Sequence, residues 1–188
     1  MSKLVAPHGG KGLVCALLEG AARDAEIKKA AGLKQIEISA RAKGDLIMMG
    51  IGGFSPLSGF MTKADWKGVC DNFQMADGTF WPVPITLDVT TADAAEIAVG
   101  QEIALVRKGE TYATMKVTEK FEMTDADKRW ECEKVFKGEG EESVGDKFWE
   151  IAPKDHPGVI MVFAQGEFNL AGPVKVLSQG EYPKEYPG

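Results

Sequence analysis

The period of the apolar positions changes several times along the chain, and each change predicts an element. Glu19 to Ala31, rich in Ala, Lys and Glu and followed by Gly32, predicts a helix. Gln35-Ile36-Glu37-Ile38 alternates apolar and polar residues, as a half-buried strand does. Ser39 stands where an N-cap is wanted, and Ala40 to about Met49 reads as a second helix with Leu46, Ile47 and Met49 inward. Thr62 opens a third, ending near Asn72. Its Ala64, Trp66, Val69 and Cys70 recur at helical spacing, which assigns Trp66 and Cys70 to the core. Thr124 heads an acidic helix, Asp125 to Phe136, with Trp130 and Val135 inward and its early acids suited to the helix dipole.

Elsewhere the pattern is that of strands. Asp77-Gly78 makes a turn and Thr79 to Val89 is β-prone, but Pro82 and Pro84 confine it to an edge or to a strand that changes sheets. Glu102 to Arg107, the turn Lys108-Gly109-Glu110 and Thr111 to Glu119 form a β-hairpin, so the sheet is antiparallel there. After the turn Asp155-His156-Pro157-Gly158, the apolar run Val159 to Phe163 is expected to be a strand, and Ala171 to Leu177 is the last one. Lys137 to Gly145 is polar, acidic and glycine-bearing, and is expected to be a surface loop.

The densest mixture of apolar residues and glycines is Met49 to Met61. Its glycines and Pro56 predict a shaped loop rather than a linker. Phe54, Leu57, Phe60 and Met61 would expose too much apolar surface if that loop stood free, so they pack on this domain or on a neighbour. The candidate interface for another domain or subunit is Phe54, Ser55, Pro56, Leu57 and Phe60 from this loop with Trp81 and Pro82 from the proline-bearing segment.

Composition narrows the picture. At 188 residues with 44% hydrophobic and 27% charged residues, the chain suits one soluble folded unit of mixed α and β structure. No apolar run approaches the ~20 residues of a membrane helix, and no export signal opens the chain, so a cytoplasmic protein without membrane contact is expected. Cys15, Cys70 and Cys132 are widely spaced and read as free thiols. Residues 1 to 60 carry a net charge of +3 and the rest −9. That acidic balance opposes a phosphate backbone, so nucleic acid is not an expected partner.

Candidate chemistry is sparse. Pro7-His8-Gly9-Gly10-Lys11-Gly12 has glycines but not the spacing of a phosphate-cradling Walker loop. His8 and His156 are the only histidines, and His156 sits in a turn where local hydrogen bonding explains it. Neither the histidines nor the cysteines have metal-site spacing, and Ser55 and Ser58 lack a Gly-x-Ser-x-Gly frame. Asp45 and Asp65 flank the glycine-rich loop as ordinary helix carboxylates. No catalytic, cofactor-binding or metal-binding residue is assigned.

Five segments taken together are more specific: Pro7-His8-Gly9-Gly10, Gly50 to Met61, Asp77 to Leu87, His156-Pro157-Gly158-Val159 and Gly172-Pro173-Val174. In this order they resemble the N-terminal domain of sulfate adenylyltransferases, the ATP sulfurylases, over nearly the whole chain. The resemblance implies an α+β, PUA-like domain over residues 1–178, with a twisted, mostly antiparallel, β-barrel-like sheet and flanking helices. Residues 179–188 would be a tail toward a catalytic domain. It also implies a parent enzyme, a homo-oligomer, that joins ATP, with its magnesium, and sulfate into adenosine 5′-phosphosulfate and pyrophosphate, or runs the reverse reaction. The family's Gln-x-Arg-Asn and His-x-Gly-His elements are not matched: Gln165-Gly166-Glu167-Phe168 lacks the Arg and Asn, and His156-Pro157-Gly158-Val159 ends in Val. The expected role is therefore non-catalytic, with the catalytic domain as partner and no ATP or magnesium held by this chain. The alternative is a freestanding PUA-like binding module.

Overall fold

A computed structural model describes residues 5–10, 12–136 and 156–180. The expected acidic loop and all of the tail beyond residue 180 lie outside these residues. The elements follow in the order α1 (Gly20–Ala30), β1 (Lys34–Glu37), α2 (Ala40–Gly50), β2 (Gly59–Phe60), α3 (Lys63–Asn72), β3 (Leu87–Val89) and α4 (Thr91–Glu96). Then come β4 (Glu102–Arg107), β5 (Glu110–Lys116), β6 (Glu119–Glu122), α5 (Asp125–Phe136), α6 (Pro157–Phe163) and β7 (Phe168–Val176).

Side-chain caps fix several helix starts. Ser39 accepts from the Ala42 amide, and Thr62 forms a capping box with Asp65. Thr124 and Asp127 exchange the same pair of bonds at the head of α5. Beneath the helices, the sheet runs β1-β4-β5-β7-β2, with β3 and β6 also pairing β7. Among the strand pairs of the described residues only β1–β4 is parallel; β4–β5 is the expected hairpin. The class is α+β with a curled, mostly antiparallel sheet. A large core of aliphatic residues with Trp81 and Phe60 fills the space between sheet and helices.

The segment predicted as a strand at Val159 to Phe163 is helix α6. His156 Nδ1 accepts from the Val159 amide and Pro157 occupies the first turn, so both ends of that turn favour a helix. Val159 and Val162, three positions apart, bury themselves against Cys132 and Phe136 of α5. Ile160, Met161 and Phe163 are apolar although exposed, so the run holds no polar position from which a period could be read, which is why the strand pattern misled. The long β-prone segment is shorter as a strand than expected: only Leu87–Val89 pairs, while Phe80 makes a lone bridge with Gln74. The hairpin's second strand ends at Lys116, and Glu119–Glu122 returns as the separate β6.

Two glycines set the closest approach in the sheet. A Cβ on Gly59 would lie 1.9 Å from the Gly172 carbonyl oxygen, and one on Gly172, whose φ is +149°, would lie 2.0 Å from that of Lys116. Gly44, on an open face of α2, has nothing within 4 Å of such an atom. Gly59→Ala is expected to destabilise by at least about 2–3 kcal/mol, because backbone cannot yield cheaply. Gly44→Ala should stabilise by about 0.5–1 kcal/mol through lost helix-interior entropy. Urea unfolding of both variants checks the opposite signs.

Candidate functional site

The glycine-rich loop is held from three sides. Ser55 Oγ accepts from the Val14 amide at 2.9 Å and donates to the Gly12 carbonyl at 3.3 Å, so the N-terminal arm lies over the loop. His8 Nε2 donates to the Phe80 carbonyl at 2.6 Å, and its ring lies 6.2 Å from that of Trp81. Phe54 meets Trp81 edge-on at 5.7 Å. A Cβ on Gly9 would lie 3.0 Å from Pro56 Cγ, which shows how closely the arm covers the proline. Ser55-Pro56 is a cis peptide. From the other side, the Val174 amide donates to the Ser58 carbonyl at 2.9 Å and ties the loop to β7.

The candidate interface residues therefore separate into two sets. Leu57, Phe60 and Trp81 are core residues of this chain and Ser55 is buried with them, while Phe54 and Pro56 are half-buried and Pro82 is exposed. Outside them lies a rim that the pattern of apolar positions did not single out: Phe73, Phe80 and Val83 are 47%, 56% and 45% exposed. The Trp81 amide donates to the Phe73 carbonyl, so the two phenylalanine-bearing segments run side by side. Phe73 also sits in the left-handed region at φ +55° as it ends α3, an uncommon state for a bulky residue. A sequence signal existed in Phe80-Trp81-Pro82-Val83, but which of these faced outward depended on the His8 and Gln74 contacts.

Beside the loop is a groove of about 370 Å³ lined by residues including Pro56, Phe60, Met75 and Pro173, with Asp65 and Asp77 as its only charged lining residues. Those two carboxylates, without a cation, do not fit nucleotide phosphates. Asp65 is also committed to backbone, accepting from the Thr62 and Ala76 amides. Asp45, on α2, is different. It is buried, its Oδ2 has no hydrogen-bond partner, and Arg41 Nε stands 3.9 Å away. Burial pushes its carboxyl up from 3.8 to about 6, with Arg41 opposing the shift. His156, as expected for a turn histidine, serves its own backbone. Among the described residues no three or more His, Cys, Asp or Glu cluster as a metal site would need, and Cys15, Cys70 and Cys132 are free.

Residues 5–179 match the family model of the PUA-like domain. The sulfate adenylyltransferase of Desulfovibrio desulfuricans is 73% identical over 188 residues, which is all of this chain and 44% of that protein. The sulfate adenylyltransferase of Thiobacillus denitrificans is 53% identical over 99% of this chain and 42% of its own length. The chain thus spans less than half the length of the curated relatives it matches. Among solved structures, a hexameric APS kinase from Thiobacillus denitrificans superposes with a TM-score of 0.64 at 24% identity, covering 94% of this chain and 27% of that one. At that identity the likeness speaks for the fold. No helix of the described residues is long and apolar enough to cross a membrane.

The raised pKa of Asp45 makes stability depend on pH. A carboxyl that holds its proton more tightly when folded contributes stability below about pH 4, and loses it as pH rises through about 6. Asp45→Asn should therefore match the parent near pH 4 and exceed it at pH 7, by on the order of 2–3 kcal/mol. Urea titrations at several pH values check this; a constant difference across the range would refute it.

Proposed function

We propose a supporting, non-catalytic role, because the chain belongs to the PUA-like domain family and its relatives that are named sulfate adenylyltransferase are more than twice as long. In this reading it is the N-terminal domain of an ATP sulfurylase, a cytoplasmic enzyme. The complete protein transfers the adenylyl group of ATP, with its magnesium, to sulfate, giving adenosine 5′-phosphosulfate and pyrophosphate. The catalytic groups belong to the remaining length, and the assembled enzyme is a homo-oligomer. What supports the division of labour is the glycine-rich groove, whose two lining carboxylates suit neither ATP nor sulfate.

The single observation that carries the docking surface is the exposed rim. Phe73, Phe80, Pro82 and Val83 leave apolar surface uncovered on a strained helix end and a bridged segment, both clamped from behind by His8 and Trp81. A rigid apolar patch of this kind fits a protein partner better than a small ligand. The occupant is the remainder of the longer polypeptide.

The purified chain alone is expected to show no sulfate-dependent ATP–pyrophosphate exchange. The remainder of the Desulfovibrio desulfuricans relative, supplied as a separate polypeptide, should form a complex with it. Phe80→Asp with Val83→Asp should weaken that complex by about tenfold or more, since a buried unpaired carboxylate is costly. Because both side chains are exposed, the variant's own unfolding midpoint should hold. Exchange by the chain alone, or association indifferent to the rim variant, would overturn the reading.

A further inference from the structure

The ion pairs of this acidic chain use its cations against neighbouring carboxylates: Lys29 with Glu26 and Glu102, Lys34 with Asp93 and Glu96, Lys134 with Asp71, Lys175 with Glu26. One concave region departs from that pattern. A cleft of about 620 Å³ lies between the α2 face carrying Ala40, Lys43 and Gly44 and the β4–β5 turn carrying Arg107, Lys108 and Glu110, with Tyr112 in its wall. Its volume falls within the range of small-ligand sites. Lys43, Arg107 and Lys108 line it, and none of them has an ion-pair partner among the described residues.

Each neighbouring acid is already engaged with a donor other than these cations. Glu110 accepts from the Tyr112 hydroxyl at 3.0 Å and, through its other oxygen, from the Ser178 hydroxyl. Glu37 accepts from the Lys108 backbone amide at 3.0 Å. Arg107 Nη1 donates to the Ile38 carbonyl at 2.7 Å, which orients the guanidinium while its other N–H groups find no partner among the described residues. Lys43 Nζ is held over the Tyr112 ring at 5.7 Å. Ala40 is the first residue of α2, an eleven-residue helix, so the positive end of that helix dipole adds to the same potential.

We propose that this cleft binds a small polyanion bearing phosphate or sulfate groups. Three cations lining one cleft, with Arg107 and Lys43 held by their own contacts, supply the charge-assisted bonds that such oxygens take. A long phosphate backbone is disfavoured, because the cleft is a local cluster on a chain of net charge −6 rather than a basic stripe. Tyr112 is buried, so no exposed aromatic face waits for a nucleobase, and recognition is of the oxyanion.

The test is nuclear magnetic resonance titration of the isotopically labelled chain at low ionic strength, with pyrophosphate and inorganic sulfate as separate probes. Saturable shifts are expected around residues 40–44 and 107–112. The two probes distinguish a diphosphate from a single tetrahedral anion. Lys43→Gln with Lys108→Gln should weaken binding by about tenfold or more, and these side chains make no hydrogen bond whose loss would unfold the domain. A charge-matched control, Lys28→Gln with Lys116→Gln, should leave binding unchanged. Absence of saturable shifts with both probes, shifts centred elsewhere, or equal loss in the control would overturn the proposal.

Discussion

Strand β7 must pair with four other strands, and that demand shapes the sheet. Its first half takes β3 through Leu170, Asn169 and Phe168 and, over the same residues, β6; its second half takes β5, while Gly172 and Pro173 receive β2. No straight, flat strand can satisfy partners on so many sides, so the sheet must curl around it. The bend falls at Gly172, where the backbone takes φ +149° and the Lys116 carbonyl crosses at a distance that excludes any side chain. Gly59 meets it from β2. The glycine-rich loop is then not a free decoration: it begins at the end of α2, ends in a strand fixed to this bend, and its shape follows from both anchors.

Much of the local structure was legible in the sequence because the signals were short-range. Ser39, Thr62 and Thr124 announce helices by a hydroxyl that can reach an amide three residues on, and each does so. The hairpin turn Lys108-Gly109 is equally local. Helix α6 was hidden because Val159 to Phe163 is apolar throughout and three of its five residues are β-branched, and only the packing of Val159 and Val162 on α5 reveals their period. β2 and α4 are two and six residues long, below the length at which a period can be counted. The candidate interface residues divide for the same reason: Leu57 and Trp81 look alike to Phe80 in a sequence, and only the bridge from Gln74 and the bond from His8 decide which side chain turns outward.

Buried polar groups tell apart the settled and the costly parts of the interior. Glu131 on α5 is buried, with its carboxyl pushed up by burial, yet it accepts from Trp66 Nε1 at 2.6 Å; Lys128, one turn away, donates to the Gln165 carbonyl. Glu26 accepts from Thr114, Lys175 and Lys29 and so joins α1 to β5 and β7. These groups tie helices to sheet by bonds that only one packing satisfies, which favours a single native arrangement over slipped alternatives. Asp45 Oδ2 and the Asn169 side-chain amide contrast with them, buried without a hydrogen bond and therefore a drain on stability, which the Arg41 charge at 3.9 Å only partly offsets for Asp45.

The way the chain closes gives the rim its rigidity. Ala16 and Leu17 bond to Met49, Gly50 and Val176, and the Arg23 guanidinium reaches the Leu177 carbonyl, so the first and last described segments lie against each other and against the end of α2. The contacts to Val176 and Leu177 join residues more than a hundred positions apart, so β7 can complete the sheet only after loop-closure entropy for most of the chain has been met. Once it has, the arm is fixed at both ends: by Ala16 and Leu17 to the sheet, and by His8 to the Phe80 carbonyl. An apolar surface displayed on such a frame loses little conformational entropy when a partner covers it. A floppy loop bearing the same phenylalanines would lose far more, so the core side chains beneath the rim serve the surface they support.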